Sequence, residues 1–110
     1  MRTLIWHKEG AVGPGTDIGE AYRLDGSYNP VRLWVRLKTA VGGANALILD
    51  VNVDGTSIFA LRPTMLKGAT EIEEDAFASV QFSKDSVVTL DVDQIGDTSG
   101  MTVGLELDEA

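Results

Sequence analysis

Few side chains in this sequence combine the type and spacing that catalysis or metal binding needs. His7 is the only imidazole and stands between Trp6 and Lys8. A Ser–His–Asp arrangement also needs a presented serine, and no Gly-x-Ser-x-Gly elbow occurs, so His7 reads as a surface or strand-edge residue. Asp91 and Asp93 alternate along one strand at about 7 Å, within the separation of about 5–10 Å that a glycoside-cleaving carboxylate pair uses. Alternate acids are equally what a solvated strand face carries, and the chain is read as non-enzymatic. Asp50, Asn52, Asp91, Asp93 and Asp97 offer the hard oxygens that calcium takes. The EF-hand spacing with its distal Glu is missing, however, so no metal ligand is assigned. If strands 46–53 and 87–93 are neighbours, Asp50 faces Asp91, and opposed like charges destabilise a sheet unless something neutralises them. The glycines of 10–15 follow no strand in a βαβ context, so nothing points to a nucleotide or any other cofactor.

Trp34 is the most informative residue. It falls on the polar side of its strand, with Arg32 and Arg36 two positions away on that same side. An exposed Trp with Arg neighbours has the composition of an interface hot spot, so Trp34, Arg32 and Arg36, together with Trp6, are the candidate partner-contact residues. The same ring suits stacking on a glycan, helped by Trp6, Tyr22 or Tyr28. The plainer alternative is a Trp covered by other parts of the chain, with the arginines stacked on it.

The elements that position these residues follow from period-two patterning. Val31, Leu33, Val35 and Leu37 alternate with Arg32, Trp34, Arg36 and Lys38, a strand with one face in the core. In 46–53, Leu47, Leu49, Val51 and Val53 share a face; Asp54-Gly55 then predicts a tight hairpin into 56–60. Val88, Leu90 and Val92 alternate with Thr89, Asp91 and Asp93, 95–100 reads as a loop, and 101–107 forms a last strand. Weaker strands are expected at 3–7, 18–24 and 78–82, and 70–79 has room for a single helical turn. About eight short strands without helices predict an all-β antiparallel sandwich or small barrel. Residues 1–29 are the least patterned and read as an N-terminal arm with first strands, a possible partner contact; 30–110 read as the β-sandwich module.

Composition sets the outer bounds. The chain has 110 residues, 44% hydrophobic and 24% charged, with no Cys. One domain with its own core is expected, without disulfides, thiolate metal sites or a cysteine nucleophile. No window of about 18 apolar residues suggests a membrane-spanning helix, and the first residues lack the pattern of a signal peptide. The net charge of −8 argues against nucleic-acid binding. It is unevenly placed: residues 1–38 balance to +2 and residues 39–110 to −10, so the basic third either meets an acidic partner, such as another copy, or is simply solvated.

Four stretches in order, from about Arg32 to Leu107, carry a resemblance: VRLWVRLKTAVGG, LILDVNVDGTSIF, RPTMLKGAT and VVTLDVDQIGDTSGMTVGLEL. They make an apolar strand ending in a Lys-Thr-Ala turn, an Asp-Gly hairpin, an Arg-Pro-Thr link and a Leu-Asp-Val-Asp-Gln-Ile-Gly strand. Together they resemble small modules of tailed-bacteriophage virion proteins, found in head decoration, tail and fibre proteins. The resemblance implies a jelly-roll fold and a place on a virion, after synthesis in the bacterial cytoplasm. Because the module fills most of this chain, a capsid decoration (cement) subunit that associates with itself, as dimer or trimer, and with the capsid shell is expected. The alternative is a tail or fibre module that binds a receptor glycan.

Overall fold

The computed structural model describes residues 1–15 and 18–110. Among these residues nine strands make two antiparallel sheets packed as a sandwich. They are β1 (Arg2–Ala11), β2 (Tyr22–Arg23), β3 (Tyr28–Gly42), β4 (Leu47–Val53), β5 (Thr56–Ser57), β6 (Thr64–Met65), β7 (Glu71–Glu74), β8 (Val87–Gln94) and β9 (Asp97–Glu109). The first sheet runs β1-β9-β3-β7; the second runs β2-β8-β4-β5, with β6 also on β4. The pairings β1·β9, β2·β8, β3·β7 and β4·β6 join strands ever closer in sequence. The chain thus folds back as one antiparallel ribbon, and the pairings β3·β9 and β4·β8 roll that ribbon into two layers.

Alternation decides the register. Leu4 and Trp6, Leu33, Val35 and Leu37, and Met101, Val103, Leu105 and Leu107 turn inward from the first sheet. They meet Leu47, Leu49, Val51 and Val53 and Val88, Leu90 and Val92 of the second. A slip of one residue in β3 would put Arg32, Trp34 and Arg36 in the core and expel three aliphatics, which burial of the apolar set forbids. The hairpin at Asp54-Gly55 is as predicted: both residues have positive φ, 51° and 85°, the pair that a type I′ turn requires and that Gly adopts without steric cost. The Asp54 carboxylate adds an acceptor for the Val87 N–H at 2.9 Å.

Several expectations are corrected. Val31 leaves the core face and is 38% exposed, because pairing with β9 steps from Pro30–Leu107 to Arg32–Glu106 and leaves Val31 as an extra residue. The 70–79 segment holds β7 in place of a helical turn: Glu71 and Glu73 pair with Arg36 and Trp34 while Ile72 turns toward the core. The expected loop 95–100 shrinks to Ile95-Gly96, and β9 starts at Asp97. Its polar residues looked loop-like, but Thr98 donates to the Thr39 carbonyl and Ser99 bonds Thr39 across the ladder. Lys38-Thr39-Ala40 is strand and not a turn, since β3 continues to Gly42. The strand expected at 56–60 stops at Ser57, and those at 18–24 and 78–82 reduce to β2 and a single bridge from Phe82 to Tyr28. The strand expected at 3–7 is present and longer, as β1, which is ladder-paired to β9 from Arg2–Leu107 to Lys8–Met101.

Candidate functional site: the outer face of the first sheet

Cross-strand register brings the candidate residues into three rows. Thr3, Glu106 and Arg32 form one; Ile5, Gly104, Trp34 and Glu73 the next; His7, Thr102, Arg36 and Glu71 the third. Gly104 is what allows Trp34 to lie down. A Cβ built on Gly104 would come within 2.2 Å of the indole Cε2 and Cζ2 atoms, so the ring occupies the space that any larger residue would need. With the ring tipped toward β9, a groove of about 660 Å³ opens along β3 and β7, lined by Trp34, Arg32, Arg36, Glu71 and Glu73, with Val35 and Ile72.

Ion pairs frame this groove. Arg32 holds Glu106 tightly, with Nε to Oε2 at 2.8 Å and a second guanidinium nitrogen at 2.7 Å. Its remaining contact, to Glu73, is looser at 3.3 Å, and Arg36 stands 3.6 Å from Glu71. The Glu106 hydrogen bond and charge raise the already high pKa of Arg32. On the β1 side, His7 bonds Thr102 at 2.8 Å and Glu9 at 2.6 Å, and that partner lowers the Glu9 pKa. His7 therefore sits on the strand surface among a hydroxyl and a carboxylate, with no serine in its bonds.

Arg32, Trp34 and Arg36 are brought together on one open face. Trp6 is not with them. It is 1% exposed, donates its indole N–H to the Glu20 carbonyl at 2.7 Å and meets Tyr22 edge-on. Its inward position in β1 takes it off the contact surface. Tyr22 and Tyr28 are also engaged away from Trp34, donating their hydroxyls to the Ile5 carbonyl and the Asp25 carboxylate; the latter bond lowers the Asp25 pKa and raises that of Tyr28. Sequence reasoning missed Gly104, Glu71, Glu73 and Glu106. An isolated Gly inside a strand pattern is the usual mark of a close approach, and that signal was present at 104.

Of the residues weighed for calcium, Asp50, Asn52, Asp91 and Asp93 lie on β4 and β8 of the second sheet, where Asp50 is directly opposite Asp91, whereas Asp97 begins β9 of the first. The question of what neutralises them has a local answer. Ser57 donates to Asp50 at 2.6 Å, Asn52 donates to Asp91 at 2.7 Å, and Arg62 meets Asp93 at 2.7 Å. Asp50 is 9% exposed, and burial, followed by the nearby Asp93 and Asp91, raises its pKa. Among the described residues no group of three or more His, Cys, Asp or Glu is placed to hold a metal ion, and no helix is long and apolar enough to cross a membrane.

The uneven charge is used within the molecule. Arg2 pairs with Asp25, Arg23 with Asp85, Arg32 with Glu73 and Glu106, and Arg36 with Glu71. Fold and face together define an all-β sandwich with a Trp-centred, ion-paired sheet surface. Comparison of the chain with protein-family models and with curated proteins gives no match.

Proposed function

We propose that this protein is a non-enzymatic structural subunit of a bacteriophage particle, a jelly-roll module that associates with itself and decorates the capsid shell. The observation that carries the reading is the rolled ribbon, β1·β9, β2·β8, β3·β7 and β4·β6. That order of pairings supports a jelly-roll, the fold implied by the sequence stretches that resemble phage virion modules.

Self-association is assigned to β1. It is a ten-residue outer strand with an exposed Ile5, 40% accessible, at its middle. Edge strands present unpaired backbone groups and recruit a second strand unless they are short, charged or covered. The other outer strand of this sheet, β7, is four residues with three glutamates, a guarded edge. On β1 the Tyr22 hydroxyl caps one carbonyl, that of Ile5. Antiparallel β1–β1 pairing about a two-fold axis joins two four-stranded sheets into one of eight and makes a closed dimer. Many equivalent copies on a shell then hold through individually shallow contacts.

Two experiments test this. Sedimentation of the purified protein is expected to show a dimer, and Ile5→Lys a monomer with unchanged circular dichroism; a wild-type monomer at every concentration contradicts self-association. Antibody against the protein is expected to label the heads of the phage whose genome encodes it; unlabelled particles contradict the virion assignment, and labelled tails move it to the fibre.

A further inference from the structure

The groove beside Trp34 has the chemistry of a small-ligand site. Its volume of about 660 Å³ lies within the range of about 300–1,000 Å³ usual for such sites. One wall is the half-buried Trp34 ring, which packs over Gly104. The Trp34 indole N–H makes no hydrogen bond among the described residues.

Charge narrows the ligand class. Each arginine around the groove already faces a glutamate, so an anion or a cation entering it meets as much repulsion as attraction. A hydroxyl group is both donor and acceptor and can sit between a guanidinium and a carboxylate without leaving either unpaired. The two pairs that line the groove are the loosely held ones, so each can share its donors and acceptors with a hydroxyl placed beside it. Arg32–Glu73 at 3.3 Å and Arg36–Glu71 at 3.6 Å are longer than a full charge-assisted bond of about 2.7–2.9 Å, whereas Arg32–Glu106, outside the groove lining, is closed at 2.7 Å. A ring with one apolar C–H face and a rim of hydroxyls matches an aromatic platform between such pairs.

We propose that this groove is a binding subsite for a neutral saccharide, with Trp34 as the stacking platform and the Arg32–Glu73 and Arg36–Glu71 pairs as the hydroxyl-binding ends. It does not depend on the virion assignment, since β1 and β7 lie at opposite edges of the sheet and a dimer joined through β1 keeps the groove open.

The test is titration of the intact protein with neutral trisaccharides built from glucose, galactose, mannose or N-acetylglucosamine, followed by tryptophan emission. Trp6, buried and hydrogen-bonded, supplies a constant background and reports the fold of each variant. At least one sugar is expected to shift the emission saturably with Kd near or below about 1 mM. Calorimetry is expected to show that affinity fall at least about tenfold in Trp34→Ala and less in Glu73→Gln. No response to any of the four up to about 10 mM, or heat of binding that persists unchanged in Trp34→Ala, overturns the proposal. Sedimentation of Trp34→Ala separates the other occupant: a drop in oligomer mass assigns the groove to a second copy and also overturns it. A dimer that ignores every sugar refutes this site alone, and a monomer that binds one refutes only the self-association.

Discussion

The outer faces of the two sheets carry similar alternations of polar residues and solve opposite electrostatic problems. On the first sheet, Arg32 of β3 lies between Glu73 of β7 and Glu106 of β9, and Arg36 faces Glu71 of β7, so opposite charges stand side by side. On the second, Asp50 of β4 faces Asp91 of β8, so like charges do. The first face can remain open, because its charges are satisfied laterally and the tipped Trp34 leaves space above the strands. The second is closed by necessity: Ser57, Asn52 and Arg62 are drawn in to relieve the carboxylates. Alternation alone therefore does not tell a usable surface from a self-satisfied one. What lies on the adjacent strand does.

The largest effect expected from breaking this contrast is at Gly104. Gly104→Ala drives a methyl into the Trp34 ring and is expected to destabilise the protein by about 1–3 kcal/mol, as overpacking does. Urea unfolding measures it, and adding Trp34→Ala should restore most of the loss; a single variant of unchanged stability would mean the ring does not lie on Gly104. At Asp50 the expected sign is opposite. Asp50→Asn removes one of two opposed charges and should stabilise by up to about 1 kcal/mol at neutral pH.

The pH dependence of that gain follows from the raised pKa of Asp50. The folded state holds this proton more tightly than the unfolded chain. The group's contribution is therefore complete below the ordinary carboxylate range and is lost as pH rises through the raised value. The advantage of Asn over Asp should shrink when the two are compared at about pH 4; an advantage that grows on acidification contradicts the assignment. The smallest effect is at Arg36. Its 3.6 Å pair with Glu71 is exposed on both sides, and Arg36→Ala should cost only on the order of 0.3 kcal/mol, read as a minor shift in Tm.

The sandwich was legible because its strands alternate strictly. Leu33, Val35 and Leu37, then Leu47 through Val53, then Val88 through Val92 announce both their faces and their extended backbone. The hairpin was legible because Asp-Gly is a local turn signal. What escaped depends on pairing that no local window contains. β7 is a strand because Arg36 and Trp34 stand across from Glu71 and Glu73, 35 to 39 residues earlier in the chain. The strand at 3–7 was expected, but its place beside β9 follows only from the last strand returning to it, from Arg2–Leu107 onward. Trp6 and Trp34 have similar local composition; only the inward parity set by β9 buries one and leaves the other on the face. The candidate site was half visible for the same reason: Arg32, Trp34 and Arg36 share one strand, whereas Glu71, Glu73, Gly104 and Glu106 come from its two neighbours.

Hydrogen–deuterium exchange over a dilution series tests the central claim most directly, because it reads the β1 edge and the Trp34 face in one experiment. If copies join through β1, peptides covering 2–9 gain protection as concentration rises, while those covering 32–36 and 71–74 exchange at a constant rate. Exchange in 2–9 that ignores concentration, or protection that appears instead over 32–36 and 71–74, would contradict the account.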